Sequence, residues 1–259
     1  MKSKPANKIQ DLQFFGEFGG VNPSISDSST YTFLSANSMS ETFEGNMEGC
    51  YLYSRNSSPS NLYLEEACAA MEGTEAANVF SSGMGAITST ILQLCKSGDH
   101  IISSRTVYGG TYAFLKNFTP QLGIETSFVN ITSLDDIKKS IKPNTKIIYC
   151  EVSSNPLLEI ADLKLISKIA KKNNLKLIVD NTFTPLSITP AKHGADIVIH
   201  SLTKFINGTS DTIAGVVCSN KEFIHSLRDV NDGAFMLFGA TMDSLRAASV
   251  LKNMRTLHI

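Results

Sequence analysis

Residues 146–180 read KIIYCEVSSNPLLEIADLKLISKIAKKNNLKLIVD and contain one complete strand–helix–strand unit. The two ends of this stretch, Lys146–Val152 and Lys176–Asp180, are short and apolar on both faces, which is typical of strands that helices cover on both sides. Leu163–Lys172 lies between them and is predicted to be a helix. The unit therefore predicts two neighbouring parallel strands in an α/β sheet.

The same alternation of strand and helix signals extends from residue 61 to about residue 218. Five further strands and four further helices are predicted there: the strands Ala77–Phe80, His100–Ser103, Thr126–Val129, Ile197–His200 and Ile213–Cys218, and the helices Leu62–Met71, Met84–Cys95, Thr111–Phe118 and Leu134–Ile141. The pattern predicts an α/β fold with a mostly parallel, open, seven-stranded sheet and helices on both faces. A closed β/α barrel is the alternative, but the strands between Asp180 and Gly215 follow each other too closely for full helical crossovers.

Residues 1–60 differ from the rest and are interpreted as an extended N-terminal arm ahead of an α/β domain at 61–259. The segment is rich in Ser, Asn, Gly and Thr, and no helical or strand period holds for long. Its aromatic side chains must be buried on the arm's own domain or on another subunit: Phe14, Phe15, Phe18, Tyr31, Phe33, Phe43, Tyr51 and Tyr53. We therefore expect a docked arm and not a separate domain.

The composition excludes several functional classes. Of 259 residues, 23 are Lys or Arg and 24 are Asp or Glu, and neither half carries a basic block, so nucleic acid is not an expected partner. The apolar runs are too short to cross a bilayer, and the basic start Met1–Lys8 is not followed by the apolar run of a secretion signal. The 5 cysteines have no C-x-x-C spacing, so neither a metal site nor a disulfide framework is expected. We expect a cytoplasmic protein without a membrane partner.

The residues that follow each strand are the candidate site residues, because ligands of open parallel sheets bind beyond the carboxyl ends of the strands. Ser81–Ala86 reads SSGMGA between a predicted strand and a predicted helix. Small residues there let the backbone approach an anion at the helix start, although an ordinary tight turn has the same signal. Asp180 ends another buried strand, where its carboxylate either pairs with a cation or caps a turn.

The stretch His200–Phe205 reads HSLTKF and follows a third strand. A desolvated lysine at position 204 would be a nucleophilic amine, whereas the alternative is a solvated loop lysine. The hydroxyl groups of Ser201 and Thr203 could bind a phosphate. Tyr108 could lie flat on an aromatic ring, and the alternative is an ordinary packed aromatic residue. An amine, an anion for a ring nitrogen and phosphate donors on one sheet edge are what pyridoxal 5'-phosphate (PLP) requires.

Six stretches of the sequence carry a family resemblance: Tyr53–Arg55, Ser81–Met84, Gly98–Ile101, Val107–Thr111, Val179–Phe183 and Gly194–Lys204. From about Gly20 to its end, the chain resembles the Cys/Met-metabolism family of PLP enzymes, which includes cystathionine γ-synthase, cystathionine lyases, methionine γ-lyase and O-acylhomoserine sulfhydrylase. The last stretch, with S-x-T-K after a strand, is the most specific. The resemblance implies PLP fold type I, with the large domain of aspartate-aminotransferase-like enzymes.

The resemblance also implies a role for each matching residue. Lys204 would form the Schiff base with PLP and move protons, Asp180 would pair with the pyridinium nitrogen, and Tyr108 would stack on the ring. Five residues would hold the phosphate and a sixth would lie near the phenolic oxygen: Ser82, Gly83, Met84, Ser201 and Thr203, and then Asn155. Tyr53 and Arg55 would reach the phosphate of the neighbouring subunit, so the arm would be an inter-subunit element of a homo-oligomer, a dimer of dimers in this family.

The activity that the resemblance implies is γ- or β-elimination or γ-replacement on a sulfur amino acid or an O-acylhomoserine. Three features depart from the family pattern: Ser58–Ser60 stands in place of Asn-Pro, Gly110 stands where typical methionine γ-lyases have cysteine, and the chain stops at Ile259, before the C-terminal domain with the arginine that binds the substrate carboxylate. One alternative is therefore a truncated, catalytically impaired chain that only binds PLP and oligomerises. A second is a dinucleotide-dependent oxidoreductase, which is disfavoured because the next strand ends in Ser103–Arg105 without an acidic residue.

Overall fold

The computed structural model describes residues 4–33, 35–44 and 49–258. Its centre is one seven-stranded sheet with the strand order β1-β7-β6-β5-β4-β2-β3. The strands are β1 (Ala76–Phe80), β2 (His100–Ser104), β3 (Glu125–Val129), β4 (Thr145–Glu151), β5 (Lys176–Asp180), β6 (Ile197–His200) and β7 (Gly215–Ser219). All neighbours are parallel except β7, which runs antiparallel to β1 and β6. The predicted mostly parallel, open sheet is confirmed.

Helices cover both faces of this sheet. The α-helices of the described residues are α1 (Pro5–Asp11), α2 (Ala36–Phe43), α3 (Pro59–Glu72), α4 (Gly83–Leu94), α5 (Gly109–Ala113), α6 (Leu134–Lys139), α7 (Leu163–Lys172), α8 (Lys221–Arg228), α9 (Ala234–Phe238) and α10 (Ser244–Met254), and not all of them lie on the sheet. Alternate strand residues point to opposite faces. In β5, Leu177 and Val179 pack with α6 and α7, whereas Ile178 packs with α4, α8 and α9. The helices α3 and α10 cover the sheet near β1 on the same face as α7.

The ends of α3 and the start of α4 are set by short-range hydrogen bonds. The Ser58 side chain accepts a bond from the Asn61 amide (3.3 Å), and Pro59 occupies the first helical position, where a missing N–H costs nothing. The helix stops at Gly73, whose φ of 72° is a left-handed conformation that glycine adopts without steric cost. The helix thus ends one residue beyond the predicted limit at Met71. At the next helix, Ser82 caps α4 by accepting from the Gly85 amide (2.9 Å).

The N-terminal arm contains more regular structure than the sequence predicts. It forms α1 and α2, and α1 docks on α3 of the same chain with Ile9 buried in the core. The Phe14 ring lies 5.0 Å from the Tyr63 ring. Phe15 and Phe18 remain exposed. Helices of seven or eight residues are too short to establish a period, which is why the sequence pattern did not reveal them.

Two sequence expectations about the protein's class can be compared with the described residues. Within them, no helix combines the length and the apolar character that a bilayer crossing needs. All five cysteines lie in the described ranges as free thiols, with Cys50 exposed and the other four buried.

Candidate active site

The carboxyl ends of four strands meet at one edge of the sheet. The strands β4, β5 and β6 run parallel, and their register pairs Glu151 with Asp180 and Asp180 with Ile199. Because β7 is antiparallel to both β1 and β6, β1 points in the same direction as β6. The segments that leave β1, β4, β5 and β6 therefore all begin at this edge, where ligands of open α/β sheets bind.

Asp180 is the buried acid of this edge. It is 9% exposed, and its Oδ1 accepts a hydrogen bond from the Thr182 amide (2.9 Å) while its Oδ2 accepts one from the Tyr149 hydroxyl (3.4 Å). Burial raises the pKa of Asp180, and the hydrogen bonds from Thr182 oppose that rise. The Thr182 hydroxyl in turn accepts a bond from the Ser201 amide (2.7 Å), so Thr182 connects the end of β5 to the segment after β6.

Lys204 lies in that segment, within one turn of the end of β6. Its amide donates to the Ser201 carbonyl (3.3 Å), and its own carbonyl accepts from the Gly208 amide (2.9 Å). The backbone of Lys204 is therefore fixed next to a residue that Thr182 connects to Asp180. Its side chain is exposed in the single chain. The structure thus brings the predicted lysine and the predicted aspartate to the same edge.

The start of α4 packs directly against the same segment. A Cβ atom at Gly83 would lie 2.8 Å from the Ser201 Cβ, and one at Gly215 would lie 2.3 Å from the Ser82 carbonyl oxygen. Only glycine permits these two approaches, because real Cβ atoms do not come so close to other heavy atoms. The first N–H groups of α4, which have no partner within the helix, are thereby brought to the Ser201 segment.

Replacing Gly83 with alanine tests this close approach. The added methyl group forces the helix start away from Ser201, and we expect the free energy of unfolding to fall by about 1–3 kcal/mol, measured by urea denaturation. Gly109→Ala is the matched control, because a Cβ at this helix-start glycine would have nothing within 4 Å. Equal losses of stability at the two positions would contradict the packing described here.

Tyr108 and Met84 meet at Gly110. A Cβ at Gly110 would lie 2.6 Å from the Tyr108 Cε1 and 3.1 Å from the Met84 Sδ. A cysteine at this position, as in the methionine γ-lyases of the resemblance, would therefore require the Tyr108 ring to move. The Tyr108 side chain is 51% exposed, which leaves part of its ring open to a ligand.

Glu151 is a site residue that the sequence analysis missed. It ends β4 beside Asp180, is 9% exposed, and accepts hydrogen bonds from the backbone of Tyr108 (2.6 Å) and of Asn155 (3.2 Å). Burial, and secondarily the charge of Asp180, raise the pKa of Glu151 to about 7. An acidic residue at the end of a buried strand was the signal that identified Asp180, and the same signal is present here.

A second buried group of polar residues, also missed, supports the site from the other face of the sheet. Glu72, at the end of α3, accepts a hydrogen bond from the Asn181 side chain (2.9 Å) and pairs with the His200 Nε2 (2.7 Å). All three side chains are buried. Because Asn181 follows Asp180 and His200 precedes Ser201, this group fixes both strand ends relative to α3. The His200 ring also acts to lower the pKa of Asp180.

The remaining predicted residues lie further from these contacts. The Thr203 hydroxyl is engaged with the backbone of Ala214, at 2.9 Å from its nitrogen and 3.1 Å from its oxygen. The Arg55 guanidinium donates to the Met236 carbonyl (2.8 Å) and lies 5.5 Å from the centre of the Tyr53 ring. In this single chain, Arg55 is thus held against α9, and Tyr53 lies beside Arg55.

The contacts described above form a closed circuit, which we call the contact ring. It passes through Asp180, Thr182, Ser201, Gly83, Met84, Gly110, Tyr108 and Glu151 and returns to Asp180. Lys204 and Asn155 are attached to it through their backbones. The ring therefore gathers two carboxyl groups, hydroxyl groups and the first N–H groups of α4, and the backbone of Lys204 is attached to it. This set of groups fits PLP, which needs an anion for its ring nitrogen, an amine for its aldehyde and donors for its phosphate.

The sequence profile of a family described as Cys/Met metabolism PLP-dependent enzyme matches residues 8–259. The methionine gamma-lyase of Arabidopsis thaliana is 43% identical over 246 residues, which cover 93% of this chain and 56% of that protein. This chain thus spans little more than half the length of that relative.

Two solved structures each match 99% of this chain. The structure of metB from Corynebacterium glutamicum matches with a TM-score of 0.88 and 30% identity over 99% of this chain and 65% of that one. A putative O-acetylhomoserine (thiol)-lyase from Campylobacter jejuni, determined with N'-pyridoxyl-lysine-5'-monophosphate, matches with a TM-score of 0.89 and 28% identity over 99% of this chain and 72% of that one.

Proposed function

This chain belongs to the Cys/Met metabolism PLP-dependent enzyme family, and we propose that it binds PLP and acts in trans-sulfuration. The proposed reactions are γ- or β-elimination, or γ-replacement, on a sulfur amino acid or an O-acylhomoserine. The observation that supports the proposal best is the contact ring, which joins Asp180, Tyr108 and the start of α4, with Lys204 attached through its backbone. The family match gives no support to the dinucleotide-dependent alternative.

Each residue of the ring has a proposed task. PLP, when bound, supplies an aldehyde that takes up an amino group and a protonated ring that withdraws electrons from the substrate Cα. Lys204 holds the cofactor through its Nζ, Asp180 keeps the ring nitrogen protonated, and Tyr108 stacks on the ring. The remaining cofactor contacts are assigned to the start of α4 with Ser82, Gly83 and Met84, to Ser201 and Thr203 for the phosphate, and to Asn155 for the phenolic oxygen.

The proton transfers are also assigned to residues of this chain. Once the substrate amine has replaced it, the Lys204 Nζ removes the proton from the substrate Cα and, in the γ reactions, also one from Cβ before the γ group leaves. Tyr108 assists as a proton donor to the leaving group. After that group is lost, water yields a keto acid and ammonia, or an incoming thiol yields a new thioether. Elimination and replacement share these residues.

A partner subunit is proposed to complete the site. Tyr53 and Arg55 are assigned to the phosphate of the neighbouring subunit in a homo-oligomer, a dimer of dimers. Exposed aromatic side chains of the arm, such as Phe15 and Phe18, support an inter-subunit role for this segment.

Product analysis tests the proposed function. The protein is supplied with PLP and incubated with L-methionine, L-cystathionine or O-acetylhomoserine, the last with and without a thiol, and the products are identified by mass spectrometry. We expect a keto acid with ammonia, or a new thioether, from at least one substrate. A protein that binds PLP and oligomerises in sedimentation experiments but forms no product would support the catalytically impaired alternative. A protein that does not bind PLP would contradict the proposal.

A further inference from the structure

We propose that Glu151 is a positioning residue for the reaction, because its carboxylate fastens the segments that carry Tyr108 and Asn155 to the end of β4. The inference rests on the proposed function, since the placement of these two residues matters only if PLP binds beside them. Glu151 itself is assigned no contact with substrate or cofactor.

Each oxygen of the Glu151 carboxylate accepts one backbone hydrogen bond. Its Oε1 accepts from the Tyr108 amide at 2.6 Å, and its Oε2 accepts from the Asn155 amide at 3.2 Å. Tyr108 is 43 residues from Glu151 in sequence and immediately precedes α5, whereas Asn155 lies in the connection from β4 to α7. One side chain therefore fixes two separate segments to the same strand end.

Tyr108 depends on this contact for its position. Half of its side chain is exposed, and its ring lies beside Gly110. The hydrogen bond from its amide to Glu151 is shorter than an ordinary N–H···O bond, as expected for a charged acceptor, which is the form of Glu151 above its pKa of about 7. Loss of this bond would let the Tyr108 backbone move, and the position of the Tyr108 ring would change with it.

Only a carboxylate can serve both donors equally. Each of its two oxygens accepts a hydrogen bond, whereas a glutamine of nearly the same shape has one oxygen and one NH₂ group, which would face an N–H donor. The charge is unfavourable in other respects, because Glu151 is buried beside Asp180, and both burial and that neighbour raise its pKa. The two backbone hydrogen bonds oppose this rise. A buried carboxyl group that only filled space would have no such compensation.

Glu151→Gln tests the inference in the PLP-loaded protein. We expect the dissociation constant of PLP, measured by titration of its absorbance, to rise about tenfold, as for the loss of one hydrogen bond to a charged group. Glu222→Gln, an exposed glutamate on α8 at the opposite edge of the sheet, is the control and should leave the constant unchanged.

A double-mutant cycle with Tyr108→Ala separates positioning from general destabilisation. If Glu151 acts by aiming Tyr108, Glu151→Gln should weaken PLP binding by less than about threefold once the ring is absent. Additive effects of the two substitutions would overturn the positioning of Tyr108 by Glu151, and an unchanged dissociation constant in Glu151→Gln would overturn the whole inference. Both results leave the proposed function intact. Failure of the wild-type protein to bind PLP would overturn both.

Hydrogen exchange keeps the inference testable if Glu151→Gln does not fold. In the wild-type protein, the amides of Tyr108 and Asn155 should exchange slowly, because both are bonded to the carboxylate. Rapid exchange of the Tyr108 amide would show that its hydrogen bond to Glu151 is absent.

Discussion

Replacing Lys204 with alanine is expected to lower turnover by about 10²–10⁴-fold or more, the range found when a group that transfers a proton in the transition state is lost. The variant would lack the amine that is proposed to bind the PLP aldehyde and to remove the proton from the substrate Cα. Because the Lys204 side chain is exposed, its removal leaves no cavity and should not lower the free energy of unfolding. Steady-state kinetics with the substrate found by product analysis, together with thermal unfolding, would measure both effects.

Borohydride reduction identifies the attachment point independently of turnover. Reduction of the PLP-loaded wild-type protein should bleach its yellow colour and fix the cofactor on the peptide that contains Lys204, as found by mass spectrometry. Lys192 provides the control, since it is also exposed but lies in the turn that precedes β6, at the opposite edge of the sheet. Lys192→Ala should retain activity. Label on any lysine other than Lys204 would refute the assigned site.

Replacing Asp180 with asparagine or alanine is expected to lower turnover by about 10²–10³-fold, a loss comparable to that of one preorganised electrostatic contact. Without the carboxylate the ring nitrogen loses its proton, and the ring becomes a weaker electron acceptor for the substrate Cα. Attachment of PLP to Lys204 does not need Asp180, so the yellow colour should persist. Spectra and kinetics of the same sample would separate the two effects, and near-normal turnover in Asp180→Asn would overturn the role.

The pH dependence of stability provides a control for this variant. The folded-state pKa of Asp180 is raised, mainly by burial, so stability that is present at low pH is lost as the pH rises through that pKa. Asparagine does not titrate. The free energy of unfolding of the cofactor-free wild type should therefore fall relative to Asp180→Asn as the pH rises from about 4. At neutral pH, we therefore expect Asp180→Asn to lose activity without losing stability.

The sheet could be predicted from the sequence because its strands are short, apolar and bounded by turns. The predicted limits of β5, β6 and α7 agree with the structure to the residue. The predicted helix Thr111–Phe118 is instead α5 followed by a π-helical turn, Phe114–Phe118. No elements were predicted after Cys218, where α8, α9 and α10 lie. The caps Asn220 and Asp243, which begin α8 and α10, were available as signals.

The site was less predictable, because its contacts are made between distant parts of the chain. Asp180 and Lys204 follow buried strands, and this position made them candidates. The hydrogen bond between Glu151 and Tyr108 joins residues 43 positions apart, and no local pattern indicates it. The pairing of Glu72 with His200 spans 128 positions and depends on which face of β6 His200 occupies. Such contacts follow from strand order and register, which local patterns do not determine.

The position of β7 between β1 and β6 has a consequence for biosynthesis. Among the residues that the structure describes, β1 is an edge strand that pairs with β7 alone, and Ala76 pairs with Ser219. At the roughly 5–20 residues per second of translation, the ribosome needs about 7–28 s to produce the residues between these partners. During that time β1 and the start of α4 leave the ribosome without the strand against which they will pack. The strand β1 therefore cannot complete its pairing in the sheet until β7 has been synthesised.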